Sequence, residues 1–179
     1  MQPTITLKEK IFELYLPEEE IQAKISSMAA QLNEDFKNQR PVFLVVLNGS
    51  VMLAADLLKE ITIECDLSFV KLASYSGTQS TGDVRTLMGL HDDIANRVVV
   101  VLEDIVDSGL TLTELMIQIL KQNPREIRVL TFLHKPEATK YKVQLDYIGF
   151  VVPNIFLVGY GLDIDGQGRN LRDIYKLKK

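Results

Sequence analysis

Cysteine is nearly missing from this chain. Cys65 is the only one in 179 residues, so no intramolecular disulfide can form. That usage suits a reducing cytoplasm. Cys65 lies in a strand-like run, 63–67, and reads as a small core residue rather than a nucleophile. Histidine is scarce as well. His91 and His134 stand alone, and no His-x-x-x-His spacing offers a metal centre. No apolar run exceeds strand length, so no bilayer span is expected. Residues 1–10 lack the apolar segment of a signal peptide. A long basic run is also absent, and the net charge is −4. That argues against nonspecific nucleic-acid binding, so neither a nucleic acid nor a membrane is expected as partner. No Gly-Lys-Ser/Thr phosphate loop occurs, and no Gly-x-Gly-x-x-Gly follows a strand, which sets aside two common nucleotide folds.

What is present is ordinary in bulk and specific in detail. Apolar residues make up 46% and charged residues 25% of the chain, as in soluble globular proteins. The length suits one domain with its own core. Pro17 and Glu18-Glu19-Glu20 open a helix, because proline and acids suit a first turn. Ile21, Ile25, Met28, Leu32 and Phe36 then recur on one face, and Arg40-Pro41 stops the helix. Runs 42–47, 98–102 and 127–133 read as buried strands. Helices are expected after Asn48-Gly49-Ser50 and over 112–120. Further strands are expected at 63–73 and 86–90, with short later ones at 147–151 and 156–160. The residues before Pro17 read as a short polar arm, and 162–179 as a polar tail ending in an apolar cluster. This β-α-β alternation predicts an α/β fold, with a mostly parallel central sheet flanked by helices on both faces.

The richest stretch is Glu103-Asp104-Ile105-Val106-Asp107-Ser108-Gly109-Leu110-Thr111, directly after the apolar run Val98 to Leu102. Ligands in open α/β sheets bind outside the carboxyl ends of strands. Glu103 and Asp104 are placed at that end, pointing to opposite sides, where they can hold a sugar diol or its metal. Mg²⁺ takes a few carboxylates and keeps waters or substrate oxygens as its other ligands. The turn from Asp107 to Thr111 offers backbone N–H groups and hydroxyls at a helix N-terminus, which favours a phosphate. Gly109 allows the backbone to come close to that anion. An N-cap alone would explain one Asp or Ser; it does not explain three carboxylates followed by Ser-Gly-x-Thr. The residues therefore point to metal-assisted binding of a phosphorylated sugar.

Weaker signals surround that motif. Asn48-Gly49-Ser50 is another strand-to-helix turn, with Ser50 as its expected cap. Segment 74–85 is polar, contains two glycines, and is long for a loop inside a compact domain, which suits a lid. Lys135 follows a strand. Phe156, Asp163 and Arg169 stand in the C-terminal third.

Taken together these residues resemble the purine phosphoribosyltransferases, and within them the 6-oxopurine branch. The acidic loop carries the resemblance first. Tyr75 with Gln79-Ser80-Thr81-Gly82-Asp83 is similar to the branch's flexible catalytic loop. Lys135, Asp146 to Phe150, Pro153 and Phe156 to Asp163 are similar to its purine-binding hood. The resemblance spans residues 42–175. It implies a type I phosphoribosyltransferase-like fold in one domain, with a core near 40–135 and a small hood from 1–16 and 136–179. It implies Mg²⁺-dependent transfer of a 5-phosphoribosyl group from phosphoribosyl pyrophosphate to N9 of hypoxanthine or guanine. The products are IMP or GMP and pyrophosphate, in purine salvage.

The resemblance also implies roles. Glu103 and Asp104 hold the ribose hydroxyls, directly or through Mg²⁺. Asp107 is the general base at purine N7. Ser108, Gly109, Leu110 and Thr111 bind the 5′-phosphate. Asn48 and Gly49 contact pyrophosphate through their backbone, and Ser74 and Tyr75 close over it. Lys135 donates to O6, Phe156 stacks on the purine, and the Leu157 backbone reads the base edge. Asp163 ligates a second Mg²⁺, and Arg169 pairs with pyrophosphate. A cytoplasmic homodimer or homotetramer is implied too. Two departures stand out: many members have Lys where Asn48 stands, and some have Lys where Leu110 stands. Rival readings are a xanthine-preferring or pyrimidine transferase, and an RNA-binding regulator of pyrimidine genes built on the same fold.

Overall fold

The computed structural model describes residues 3–74, 84–88 and 93–178, with the side chains of 72–74 and 84–88 outside that description. The elements in chain order are β1 (Thr4–Leu7), β2 (Lys10–Leu16), α1 (Glu18–Asp35), β3 (Val42–Leu47), α2 (Val51–Glu60), β4 (Asp66–Ser74), β5 (Val84–Met88), β6 (Val98–Val106), α3 (Leu110–Leu120), β7 (Glu126–His134), β8 (Tyr147–Val151), β9 (Leu157–Val158) and β10 (Ile174–Leu177).

Six strands form the main sheet, in the order β5-β4-β3-β6-β7-β8. β4, β3, β6, β7 and β8 run parallel, and β5 returns antiparallel beside β4. The valine-rich strands β3 and β6 are central and buried on both faces, as parallel strands covered by helices must be. Alternation divides their side chains. Phe43, Val45, Val98, Val100 and Leu102 join one cluster with Ile21, Ile25 and Leu32 of α1 and Leu53 and Leu57 of α2. Val42, Leu44, Val46, Val99 and Val101 join the other with Leu112, Leu115 and Ile119 of α3. Helices thus cover both faces, as the sequence predicts.

A second, antiparallel sheet, β1-β2-β10-β9, unites the two chain ends. The N-terminal segment is therefore a hairpin, not a polar arm. Its own small core packs Phe12, Val158, Ile164 and Tyr175. Asp173 links the two parts: its Oδ1 accepts the Glu18 backbone N–H at 2.8 Å, capping α1 from outside the helix. The expected hood boundary needs correction. Tyr147–Val151 pairs with β7 inside the main sheet, so the core reaches past residue 135. Apolar Tyr147 and Gly149 alternate on the buried side of that strand and claim a place against the core.

Two strand ends also differ from expectation. β6 does not stop at Leu102; Ile105 and Val106 continue the ladder opposite Leu133 and His134. The acidic pair lies within the last turns of pairing rather than beyond it. β9 holds only Leu157 and Val158, and Phe156 stands before it.

Candidate active site

At the carboxyl ends of β3, β4, β6 and β7 a cavity of about 440 Å³ opens beneath the second sheet. Asn48, Gly49, Asp104, Asp107, Lys135, Phe156, Leu157, Asp163 and Arg169 line it, all of them singled out by sequence. A smaller cavity of about 240 Å³ runs beside it, lined by Glu103 through Gly109 with Thr111 and Leu112. Asp104 and Asp107 border both.

The small cavity is the expected anion cradle at the start of α3. Gly109 occupies the N-cap position with φ of 83°, a left-handed conformation that favours glycine. The reason for glycine is broader than an approaching anion: a Cβ there would overlap the Tyr141 carbonyl oxygen. Ser108 folds its Oγ toward the Leu110 N–H at 3.4 Å, and no side chain caps the helix. Beyond Leu110, the first N–H groups of α3 meet no side-chain cap among the described residues and are left to an external acceptor.

Glu103 is buried, and its Oε2 has no hydrogen-bond partner among the described residues. Burial pushes its carboxyl well above the usual range, and the neighbouring Asp104 charge adds to the rise. Asp104 is raised by burial too, opposed by hydrogen bonds from Glu103 and from the Ile105 N–H at 2.9 Å. Two adjacent carboxyls, one buried with an orphaned oxygen and one half-buried, resist full ionisation unless a cation joins them. No cluster of three or more His, Cys, Asp or Glu side chains converges among the described residues. The arrangement therefore fits a hard cation completed by substrate oxygens and water, and does not fit a cage built by protein alone.

The large cavity has two distinct ends. At one, Lys135 is buried and its Nζ donates to Asp107 Oδ2 at 2.8 Å. This is not a solvated lysine. Phe156 stands 47% exposed on the same cavity, backed by Phe12 at a ring-centroid distance of 6.3 Å, and so is not a core aromatic. At the other end, Arg169 donates from Nη1 to the Gly161 carbonyl at 2.6 Å and pairs with Asp163 at 2.6 Å. Asp163 accepts the Gly166 N–H with its second oxygen at 2.6 Å. Gly161 packs on the Gly49 carbonyl, and Gly49 packs on the Asp104 carboxylate; a Cβ on either would overlap its neighbour. That chain of contacts fixes Arg169, Asp163, Asn48, Gly49 and Asp104 at one end.

Not every expected residue can be placed. Ser74 ends β4. Tyr75 and the rest of the polar segment to Asp83 lie outside the described residues. Ser50 precedes α2 at the N-cap position but makes no cap; its Oγ is buried without a partner among the described residues. Cys65 is packed against the main core, where burial pushes its thiol up, which suits a structural residue.

Sequence reasoning missed one contributor and gave no separate role to another, Tyr160 of the 156–163 segment. Lys71, on β4, lines the large cavity; a charged residue among apolar strand neighbours was the available signal. Tyr160 is buried, packs 5.3 Å from Phe132, and donates to Asp56 Oδ2 of α2 at 2.9 Å. It ties the 159–163 turn to the helix that follows Asn48-Gly49.

The sequence profile of the phosphoribosyl transferase domain family matches residues 14–165. The chain belongs to the phosphoribosyltransferase family. It is 41% identical over 163 residues to the hypoxanthine-guanine phosphoribosyltransferase of Mycobacterium tuberculosis, a match covering 87% of this chain and 81% of that one. It is 38% identical to the hypoxanthine-guanine-xanthine phosphoribosyltransferase of Tritrichomonas foetus, covering 90% and 89%. A crystal structure of a hypoxanthine-guanine phosphoribosyltransferase from Bacillus anthracis superposes with a TM-score of 0.88 at 36% identity, covering 93% of this chain and 98% of that one. As a phosphoribosyltransferase, the chain is an enzyme of purine salvage with the type I fold. No described helix is long and apolar enough to cross a membrane.

Proposed function

We propose that this phosphoribosyltransferase transfers the 5-phosphoribosyl group of phosphoribosyl pyrophosphate to N9 of hypoxanthine or guanine, in the presence of Mg²⁺. The observation that carries this reading is one cavity that holds two separate charged groupings, Lys135 with Asp107 and Arg169 with Asp163 beside the Asn48-Gly49 turn, with Phe156 on its wall.

Phe156 presents a ring face for stacking on the purine. Lys135 donates to O6, and the Leu157 backbone meets the base edge. The turn from Ser108 to Thr111 receives the 5′-phosphate at the N-terminus of α3 through its backbone N–H groups and hydroxyls. Glu103 and Asp104 hold the ribose diol. Departure of pyrophosphate leaves positive charge at the anomeric carbon, and Arg169 with the Asn48 and Gly49 backbone holds the leaving anion. Asp107 takes the purine proton at N7 as the bond at N9 forms. Bound Mg²⁺ supplies charge neutralisation to the diol and the leaving group; Glu103, Asp104 and Asp163 are the residues that would hold it. A cytoplasmic homodimer or homotetramer accompanies this reading, and the exposed Val51, Leu67 and Phe69 offer apolar surface for it. Mass in solution decides that point.

The relative named for xanthine favours a wider base range. Pyrophosphate release is therefore measured with phosphoribosyl pyrophosphate and hypoxanthine, guanine, xanthine or uracil, with and without Mg²⁺. Turnover of hypoxanthine and guanine that stops when Mg²⁺ is chelated is the expected result. Turnover of uracil alone, or none with any purine, would overturn the proposal.

A further inference from the structure

We propose that Lys71 supplies the pyrophosphate-directed positive charge that Asn48 does not. This rests on the reading that pyrophosphate departs at the Asn48-Gly49 end of the cavity. Three cations line that cavity. Lys135 is held by Asp107, and Arg169 by Asp163 and the Gly161 carbonyl. Lys71 is half-buried and has no hydrogen bond or ion pair with any described residue. It is the one lining cation left uncommitted among them.

Its position follows from strand register. Lys71 of β4 stands opposite Leu47 of β3, and Leu47 leads directly into Asn48 and Gly49. Neighbouring strands lie about 4.7–4.9 Å apart, so the lysine stem begins beside the turn. A lysine is a mobile point charge, suited to a phosphate whose position shifts as a bond breaks. The charge absent at position 48 thus reaches the same place from the adjacent strand.

The experiment compares wild type, Lys71→Met, Lys71→Arg, Asn48→Lys with Lys71→Met, and Arg169→Ala. KM for phosphoribosyl pyrophosphate, the inhibition constant of pyrophosphate and KM for hypoxanthine are measured. Lys71→Met is expected to raise the first two roughly tenfold, the scale of one charged hydrogen bond, and to move the third less than about twofold. Lys71→Arg should retain donor affinity, and Asn48→Lys should restore much of it to the Met variant. An unchanged donor KM in Lys71→Met, an equal shift for hypoxanthine, or no rescue by Asn48→Lys would overturn the proposal. If Arg169→Ala weakens the donor and Lys71→Met does not, only the role of Lys71 falls. If wild type fails to bind phosphoribosyl pyrophosphate, the functional reading falls with it.

Discussion

Asp107→Asn is expected to lower kcat by roughly 10²–10⁴-fold, the usual span for loss of a general base. Asp107 lies on the turn that leaves β6, and its side chain is 52% exposed toward the cavities. Its Oδ2 accepts the Lys135 ammonium at 2.8 Å. An asparagine oxygen can still accept that bond, so the fold of the turn and the place of Lys135 are kept. What disappears is the capacity to take up a proton. The change should fall on kcat, with smaller changes in KM for base and donor. Steady-state rates with hypoxanthine and guanine check this. A variant with near-normal kcat would reduce Asp107 to an anchor for Lys135.

Gly49→Ala is expected to cost at least about 10²-fold in kcat/KM for the donor while the protein stays folded, because catalysis tolerates little misplacement of binding groups. A methyl group at position 49 would fall inside the Asp104 carboxylate. That carboxylate is the flexible end of a side chain, so it can swing away and spare the backbone. Swinging costs the hydrogen bond from the Ile105 N–H and removes the acid proposed for the ribose diol. The thermal midpoint should move by only a few degrees, since about 1–2 kcal/mol is involved and a chain of this size shifts roughly 2–4 °C per kcal/mol. Full donor affinity in this variant would show that Asp104 does not hold the diol from its present position.

Much of this organisation is legible in the sequence where local patterning and burial agree. The Ile21 to Phe36 stripe marks α1 because a helix buries one face at that spacing. Val42 to Leu47 marks β3 because a strand covered on both faces is apolar throughout. The N-terminal hairpin is not legible. Its turn uses Lys8 and Glu9 at φ of 49° and 60°, residues that carry no turn signal; its first strand is only four residues long and its second mixes charged and apolar side chains. The acids at 103 and 104 suggest a strand end because carboxylates are seldom buried. Yet the ladder to β7 runs on past them.

The site divides in the same way. The acidic loop is readable because its residues are contiguous. The pairing of Lys135 with Asp107 joins two loops across the sheet, and no spacing announces it. Phe156 leaves the core because Val158 and Phe12 fill it instead. Lys71 looks like a solvated strand residue until the register with Leu47 places it beside the Asn48 turn.

The central claim is that one cavity holds a base at the Lys135 end and pyrophosphate at the Arg169 end. Lys135→Ala and Arg169→Ala, each assayed for KM toward hypoxanthine and toward phosphoribosyl pyrophosphate, test it most directly. Lys135→Ala is predicted to raise the hypoxanthine KM about tenfold or more and leave the donor within roughly twofold, with Arg169→Ala showing the reverse. Equal shifts for both substrates in both variants would contradict the two-ended site.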